Sequence, residues 1–410
     1  MAINNIFFLK IIIISLILTP SLDFIPGVPS LRLDDILVFF WLFIAIFYFK
    51  YNFSFLLKTR ILFIIILAVY FLIPVLNGLI NGFQGDFADL NQYVRFLKYI
   101  GFYCISYKVF ADSDELKKEE ILVFFVSCGV VLFFITLSQY FNFLGLNDLY
   151  VRAIAPTQYK TLINNSLHPR PVGMVGNPNE LGYLMALLSL VSLYCAVKYK
   201  SNKYYIFLVM FALGCLMTLS RGAMVALIAG FLVFVFIYHF KASAKNRLKI
   251  LIMTIFVLIG SYLLINNDVF YDKILWRFEI GLDVSNDDAL GSRFDNWNEN
   301  INIIKDHPIV GVGPLRRAAF QHSADNEWLL ILRSYGFFGV LLIISIFLRG
   351  VFSSRSIENR ALLYALILSS FLYMIPAVIF HSLILFPLVL FVFTVIDSRS
   401  DEYYYDRSNK

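Results

Sequence analysis

Charged residues are scarce in this chain of 410 residues, where Asp, Glu, Lys and Arg together make up 15%. Soluble globular proteins carry about 25% charged residues, with which they cover a water-facing surface. Hydrophobic residues instead reach 60%, and the mean hydropathy is +0.75. This composition excludes an ordinary soluble protein and indicates that much of the protein surface faces lipid.

Cysteine and the common cofactor motifs are also scarce. The four cysteines all lie inside apolar runs, so we interpret them as small core residues and not as disulfides or a zinc site. The sequence has no Walker A, HExxH or GxSxG motif, and no CxxC cluster with useful spacing. We therefore expect no cofactor and no metal ion. Short loops account for most of the net charge of +6, so nucleic acid is not implied.

Runs of about twenty apolar residues recur along the chain, and an α-helix needs that length to cross about 30 Å of hydrocarbon. A β-barrel would show alternating segments of about ten residues. The sequence predicts one all-α membrane domain over 1–410, a bundle of about twelve transmembrane helices. The N-terminal run lacks a cleavage site and contains Lys10, so we expect a retained first span. The others are expected near 36–49, 61–79, 93–110, 121–143, 179–197, 204–219, 222–238, 248–265, 327–348, 361–375 and 378–396.

Basic residues predict the orientation, because cytoplasmic loops carry an excess of Lys and Arg. With the N-terminus in the cytoplasm, more than half of the 34 basic residues fall in short inner segments. Two outer loops are then long, at 142–178 and 266–326, and we expect both to contain short helices. Loops of this length are uncommon without a function. Residues 398–410 are expected to form a disordered cytoplasmic tail.

Arg221 stands between two apolar runs in LMTLSRGAMVAL, at the outer junction of the predicted seventh and eighth spans. An arginine at the centre of a bilayer costs at least about 2.5 kcal/mol. In one interpretation Arg221 reaches to the membrane interface. In the other it faces a wet cavity, where its planar fork of donors suits a phosphate.

The first long loop ends in HPRPVGMVGNPNELG, where two prolines flank Arg170 and fix the direction of its backbone. Asn177, Pro178 and Asn179 then open the sixth span, and Glu180 lies in its first turn. Helix capping is one interpretation of Asn179 and Glu180. Substrate binding beside Arg170 is the other.

The second long loop contains GSRFDNWNENINIIKDHPIVGVGP, whose middle part is predicted to be a short amphipathic helix that begins at Arg293. Trp297, Ile301 and Ile304 would form its apolar face. The GVGP segment supplies the backbone freedom for a tight return. The GxG in this segment is not a nucleotide-binding motif, because no predicted strand precedes it.

Polar residues in QHSADNEW lead into the tenth span. Asp325 and Asn326 suit helix N-caps, and Glu327 suits the positive end of a helix. His322 is either an ordinary loop histidine or a general base near the membrane surface. Carboxylates and histidine are the groups that take a proton from a hydroxyl, so Asp325 is open to the same interpretation.

Three of these motifs together resemble the superfamily of bacterial O-antigen polymerases and O-antigen ligases, which are integral membrane glycosyltransferases. The motifs are NPNELG at the opening of a span, SRGA at an outer helix junction, and an outer loop of the form R-x3-W…DHPIxGxGP…DNE-x8-G-x2-G. Their order and distances cover roughly 170–342, and the first four spans add only topology.

This resemblance implies transfer of an oligosaccharide from a polyprenyl pyrophosphate carrier to a sugar hydroxyl, on the periplasmic face of the inner membrane. It also implies that Arg221 and Arg293 engage the pyrophosphate. The ligase branch usually carries His-Asn where this chain has Asp325 and Asn326. That departure weakens the ligase interpretation and leaves open whether Asp325, His322 or neither is the base.

The chemistry fits these residues independently of the resemblance. A glycosyl pyrophosphate leaves readily if its developing charge is neutralised, and preorganised arginines can do this without a metal ion. A base-assisted attack of the acceptor hydroxyl on the anomeric carbon would invert its configuration. We expect catalytic roles for Asp325, His322, Arg221 and Arg293. The residues expected to bind pyrophosphate or glycan are Arg170, Arg221, Arg293, Asn179, Glu180 and Asn326.

The sequence therefore predicts a repeat-unit polymerase for a surface polysaccharide, O-antigen or capsule, that acts on a polyprenyl-pyrophosphate-linked oligosaccharide. The candidate protein partners are a chain-length regulator and a flippase. One rival is a ligase that moves glycan onto lipid A core, and another is a transporter of the lipid-linked glycan. Transporters usually bind substrate near the middle of the membrane. The charges here are expected at one face, which favours an enzyme.

Overall fold

The computed structural model describes residues 5–20, 32–48, 59–83, 89, 91–152, 155, 159, 162, 169–239, 288–314, 325–351, 354 and 356–398. This part of the chain is all-helical, as predicted, with no strand among the described residues. Its α-helices are α1 (Asn5–Leu18), α2 (Leu33–Tyr48), α3 (Ile61–Tyr70), α4 (Leu72–Ile80), α5 (Asn91–Ala111), α6 (Glu115–Tyr140), α7 (Pro178–Lys198), α8 (Lys203–Met217), α9 (Arg221–His239), α10 (Asp288–Asp306), α11 (Glu327–Leu348), α12 (Ile357–Tyr373) and α13 (Leu385–Asp397).

Several helices are long and apolar enough to cross a membrane, so the chain is a multi-pass membrane protein. Within the described ranges five segments meet both criteria, and they are Ile61–Ile80, Glu115–Tyr140, Pro178–Lys198, Arg221–His239 and Glu327–Leu348. The helices α1, α8 and α13 are apolar but shorter. About twelve spans remains a prediction. The predicted span at 248–265 and the tail beyond residue 398 lie outside the described residues.

Two predicted spans differ in shape from the observed helices. The span expected at 61–79 divides at Phe71 into α3 and α4, because Pro74 has no N–H to donate to the preceding turn. The span expected at 378–396 is helical only from Leu385 onward. Residues 374–384 are irregular, since three of their backbone N–H groups bind a carboxylate instead of continuing a helix.

Asparagine caps begin the two helices that carry most of the predicted site. Asn177 caps α7 by accepting a hydrogen bond from Asn179 N at 2.8 Å. Asn326 caps α11 by accepting one from Leu329 N at 3.2 Å. The capping interpretation is therefore right for Asn326 but wrong for Asn179, whose side chain has a different partner. Each such cap contributes about 1 kcal/mol.

The chain divides into two compact units. The first unit consists of Met1–Leu132, Asn296–Ser354 and Met374–Lys410, and the second consists of Phe133–Asp295 and Arg355–Tyr373. In the first unit α5 packs against α1, α2, α3 and α13. In the second unit α7 is central, because nearly all its residues are buried and it packs against α8, α9 and α12.

A buried ion pair joins distant helices of the first unit. Arg60, just before α3, donates from Nε to Asp397 Oδ2 at 2.9 Å and from Nη2 to Oδ1 at 3.3 Å. Its Nη1 also donates to the carbonyl of Phe347 at 3.1 Å, near the end of α11. Tyr103 donates its hydroxyl proton to the same Asp397 at 2.7 Å. The pair therefore ties α3, α5, α11 and α13 together.

A second buried cluster joins α1, α2 and α5. Lys98 forms ion pairs with Asp34 and, at 2.6 Å, with Asp35. Arg32 donates from Nε to Asp34 Oδ1 at 3.0 Å and from Nη2 to the carbonyl of Thr19 at 3.0 Å. Two cations and two carboxylates balance, which is the condition under which charges are tolerated away from water.

Candidate functional site

Arg170 is held at two points within the second unit. Its Nη2 donates to Asn179 Oδ1 at 2.8 Å, and its Nε donates to the carbonyl of Thr218 at 3.1 Å. The side chains of Arg170 and Asn179 are both half-buried. Two bonds from one guanidinium fix its plane, so Arg170 is oriented before any ligand arrives.

Gln139 anchors the loop segment that carries Arg170. This fully buried side chain accepts hydrogen bonds from Val172 N and Gly173 N, both at 2.8 Å, and donates to the carbonyl of Gly173 at 2.9 Å. Both the oxygen and the nitrogen of the Gln139 amide are thereby engaged. The end of α6 therefore positions the loop that leads into α7.

The turn between α8 and α9 approaches the first turns of α7 very closely. A Cβ added to Gly182 would lie 2.7 Å from Thr218 Oγ1 and 2.9 Å from Ala223 Cβ, so only glycine fits there. Leu219 adopts a left-handed φ of 53° in this turn, and Arg221 is the first residue of α9. NPNELG and SRGA, which are separate in sequence, therefore meet. We call Arg170, Asn179, residues 218–220 and Arg221 the arginine corner.

In the first unit, α11 is interrupted at Gly336, whose φ is 62° and ψ is −166°. The preceding loop pairs with the backbone on both sides of this interruption. Val312 N donates to the carbonyl of Arg333 at 2.9 Å, and Phe337 N donates to the carbonyl of Pro308 at 2.9 Å. Irregular backbone inside a membrane helix is tolerated where such protein partners satisfy it.

Glycines make this close backbone contact possible. A Cβ on Gly336 would lie 2.2 Å from the carbonyl oxygen of Ile309, and a Cβ on Gly311 would lie 2.6 Å from the carbonyl oxygen of Arg333. Both glycines have positive φ. The backbone of the GVGP motif therefore packs directly against the backbone of the downstream G-x2-G motif.

The side chain of Arg333 links α10 to α11. It is buried, and its Nη1 donates to Asn300 Oδ1 at 2.8 Å. Trp297, Ile301 and Ile304 are half-buried, as expected for the apolar side of the predicted amphipathic helix. That helix is confirmed as α10, although it begins at Asp288 and not at Arg293.

The α8–α9 turn, α10 and the interrupted α11 lie in one continuous stretch, and that stretch matches a known family. Residues 206–344 match the O-antigen ligase family. The resemblance inferred from the motifs is confirmed over this stretch, whereas NPNELG lies before it. The match indicates a membrane enzyme of polysaccharide biosynthesis that acts on lipid-linked glycans. It does not distinguish a polymerase from a ligase. No curated protein matches the chain.

Within the O-antigen ligase stretch, Glu327 has a role that the sequence did not suggest. Its fully buried carboxylate accepts hydrogen bonds from the backbone N–H groups of Ile379, Phe380 (2.9 Å) and His381 (3.3 Å). Its Oε1 also forms a hydrogen bond with Nδ1 of the His381 ring. Glu327 N in turn donates to the carbonyl of Met374 at 2.9 Å. The start of α11 and the 374–384 segment are therefore fixed to each other.

His381 lies beyond the matched stretch and was also missed from the sequence. Its ring stacks on Tyr335, with centroids 6.1 Å apart and planes inclined by 21°. Tyr99 donates its hydroxyl proton to the neighbouring Phe380 carbonyl at 2.6 Å. A signal was present, because an ionisable residue within an apolar run such as AVIFHSLIL is unusual in membrane helices.

The other predicted residues lie at the starts of α7 and α11, within α10, or outside the described residues. Glu180 is half-buried in the first turn of α7, at the same helix end as Asn179. Asp325 is exposed just before α11. Arg293 lies in α10 with its side chain outside the described part, and His322 lies outside the described residues. Of the predicted set, the structure joins Arg170 and Asn179 directly and brings both to the turn before Arg221.

Proposed function

We propose that the protein is a repeat-unit polymerase for a surface polysaccharide. It would transfer a polyprenyl-pyrophosphate-linked glycan onto a sugar hydroxyl of another lipid-linked repeat. The arginine corner is the observation that supports this proposal. It holds one guanidinium in a fixed plane, beside the turn from which a second arginine, Arg221, begins α9.

The corner suits a pyrophosphate leaving group. As the bond between the anomeric carbon and the pyrophosphate oxygen breaks, its electron pair stays on the pyrophosphate. Arg170 and Arg221 would stabilise that charge, and the first backbone N–H groups of α9 add a positive helix end. Arg293 would contribute a third guanidinium. Arginines in these positions perform the charge neutralisation for which other enzymes use a divalent metal ion.

The remaining roles follow the same reaction. Asn179 holds Arg170, and Glu180 and Asn326 would contact the glycan. The acceptor hydroxyl loses its proton to a base, for which Asp325 and His322 are the residues predicted ahead of α11, and direct displacement inverts the anomeric carbon. The reaction would take place on the periplasmic or extracytoplasmic face of the cytoplasmic (inner) membrane. A flippase would supply the substrate and a chain-length regulator would control the product.

A ligase that transfers glycan to lipid A core is the second candidate function, because the matched family is described as O-antigen ligase. Both enzymes use the same donor and therefore the same arginines. They differ in the acceptor, which is a lipid-linked repeat for the polymerase and a core sugar for the ligase. A transporter of the lipid-linked glycan is less consistent with the family match.

Gel profiles of surface glycan separate these functions. A deletion strain is complemented with the wild type, Arg221→Ala or Arg293→Ala, and the amount of each protein in the membrane is checked. Arg360→Ala, at the start of α12 and on the predicted inner side, is the matched control. We expect a ladder of glycan lengths with the wild type and the control, and core plus one repeat with the two other variants.

Each alternative result has a distinct meaning. Loss of all attached glycan in Arg221→Ala would identify a ligase. An intact ladder in both Arg221→Ala and Arg293→Ala would show that the site is wrong. Single repeat units in the wild type, unchanged on deletion, would exclude the polymerase function altogether.

A further inference from the structure

Exposed apolar side chains follow α6 in the first long loop. Phe141, Phe143, Leu144 and Leu149 are all more than half exposed, and the two leucines reach 82% and 74%. We call residues 141–149 the apolar loop. It lies beyond the end of α6 and not within the lipid-facing side of a helix. Exposed apolar patches of this kind mark a contact with a protein or a membrane.

The polarity of the apolar loop is the reverse of that of a loop in water. Asn147 is only 2% exposed, whereas Leu144 and Leu149 on either side of it are on the surface. The Asn147 side chain donates from Nδ2 to the Gln139 carbonyl at 2.8 Å, and its backbone N–H donates to Asn142 Oδ1 at 3.3 Å. In a protein that faces water, asparagine is mostly exposed and leucine is mostly buried. The loop therefore suits apolar surroundings.

The backbone of the apolar loop has a bend that leucine rarely adopts. Asn142 and Leu144 have left-handed φ values of 46° and 53°. A left-handed leucine is strained, because its Cβ approaches the following carbonyl oxygen. A hydrogen bond of 3.1 Å from Gly145 N to the Asn142 carbonyl closes the bend. Backbone strain of this kind is concentrated at functional sites. The bend keeps Phe143 and Leu144 on the surface, so their exposure is part of the fold.

The apolar loop begins at the level where α6 leaves the hydrocarbon. Glu120 is the last charged residue of α6, and the uncharged run 121–140 is about 30 Å long at 1.5 Å per residue. That length matches the hydrocarbon core of a bilayer. The rings of Tyr140 and Phe141 contact each other edge to face at 5.2 Å, and aromatic residues such as tyrosine collect at membrane interfaces. Asp148 is also exposed, which suits the depth of the headgroups and not the centre of the membrane.

The apolar loop is connected to Arg170 within the second unit. The Gln139 side chain accepts a hydrogen bond from Val172 N, and the Gln139 carbonyl accepts the one from Asn147. Val151, just after the apolar loop, belongs to the same small buried cluster as Val172. Arg170 lies two residues before Val172. The depth of the apolar loop in the membrane therefore determines the depth of Arg170.

We propose that the apolar loop is an interfacial anchor, which inserts its exposed side chains among the lipid acyl chains of the adjacent leaflet. Lipid is the occupant, and not a second copy of the chain, because the loop continues a spanning helix at the surface of the hydrocarbon. The anchor holds the arginine corner at the depth of the headgroups, where the pyrophosphate of a lipid-linked donor lies. This last step rests on the proposed function, whereas lipid insertion does not.

Nitroxide labels measure the depth of the loop in the full-length protein. Leu144→Cys and Leu149→Cys are labelled in liposomes of phosphatidylethanolamine and phosphatidylglycerol. The four native cysteines are buried, and the wild type treated with the same label gives the background. Oxygen concentrates in hydrocarbon and a nickel chelate in water, so the ratio of their collision rates with the label reports depth. The matched control is Leu116→Cys, at a leucine that is 79% exposed in the first turn of α6 beside Lys117 and Lys118.

We expect the ratio of oxygen to nickel collisions to be several times higher at positions 144 and 149 than at position 116. A ratio as low as that at position 116 would show that the loop lies in water and would overturn the proposal. Protection from both reagents would also overturn it, since protein and not lipid would then cover the loop. Insertion only after donor is added would do the same, because the isoprenoid chain of the donor would then be the occupant.

Leu144→Asp tests the effect of the loop on the arginine corner. Aspartate adopts a left-handed φ more readily than leucine, so the bend is kept while the charge opposes insertion. We expect the donor KM for glycan transfer in liposomes to rise about tenfold at the wild-type kcat, because a leucine loses at least that factor on leaving apolar surroundings. The melting temperature should stay at the wild-type value, since this side chain is on the surface. Leu116→Asp should leave the donor KM unchanged.

A wild-type donor KM in Leu144→Asp would overturn the role of the loop in donor binding. The depth measurement uses no donor, so a negative result there leaves the proposed function intact. Absence of transfer by the wild type, with folded protein and intact donor, would overturn the proposed function itself.

Discussion

Arg170 and Asn179 are joined by a hydrogen bond of 2.8 Å between Nη2 and Oδ1, which links the end of the first long loop to the first turn of α7. The same guanidinium contacts the Thr218 carbonyl just before α9. One arginine therefore connects three segments that meet at the predicted substrate end of the second unit. The orientation of Arg170 depends on Asn179, and this dependence can be measured.

Asn179→Ala should weaken binding of the lipid-linked donor without unfolding the protein. We expect the donor KM to rise about tenfold, which corresponds to about 1.4 kcal/mol, because Arg170 loses an acceptor that orients its guanidinium. Transfer kinetics in liposomes give this value. Asn177→Ala, two residues away, is the control: it should lower stability by about 1 kcal/mol through the lost cap while the donor KM stays unchanged. Equal donor KM values in both variants would show that Asn179 does not orient Arg170 for donor binding.

Gly336→Ala should destabilise the first unit. The new Cβ would lie 2.2 Å from the Ile309 carbonyl oxygen, and the backbone would remain at a φ of 62°. We expect a loss of at least about 2 kcal/mol, from backbone strain together with displacement of the 307–313 loop. Thermal melting in detergent measures it. Phe337→Ala is the matched control, since this neighbouring side chain is 56% exposed and should be replaced at little cost.

Arg60→Ala should lower the stability of the protein more than removal of both partners of the ion pair. The single variant leaves Asp397 buried among α3, α5 and α13 without its cation, and breaking one partner of a buried pair costs about 3–5 kcal/mol. The double variant Arg60→Met, Asp397→Leu removes both charges and should melt at a higher temperature than Arg60→Ala. A melting temperature of Arg60→Ala equal to that of the wild type would show that the pair does not hold these helices.

Sequence patterns predicted the helical class and most helix positions, because the apolar runs must satisfy their backbone hydrogen bonds internally in lipid. They also identified the NPNELG and SRGA motifs. They did not reveal that Gly182 lets these motifs approach each other, since close approach depends on tertiary packing. The capping interpretation of Asn179, one of the two that the sequence left open, is wrong for the same reason, because the partner of its side chain is Arg170 in the preceding loop.

Predictions from local sequence patterns were wrong where a residue distant in the chain binds the backbone N–H groups. The apolar run at 378–396 predicts a continuous helix, but the carboxylate of Glu327 binds the N–H groups of residues 379–381 and delays the helix until Leu385. Nothing within that run indicates this partner, which comes from α11. The interruption at Gly336 is similar, since it is stabilised by a loop that precedes it in the chain.

A transfer assay tests the polymerase function most directly, with purified protein in liposomes and a polyprenyl-pyrophosphate-linked repeat unit as the only glycan. We expect a ladder of longer lipid-linked glycans, with one polyprenyl pyrophosphate released for each new linkage. Arg221→Ala should lose this ladder although it folds normally. An unchanged ladder in Arg221→Ala would show that Arg221 does not act in the transfer, and no release of polyprenyl pyrophosphate by the wild type would exclude the polymerase function.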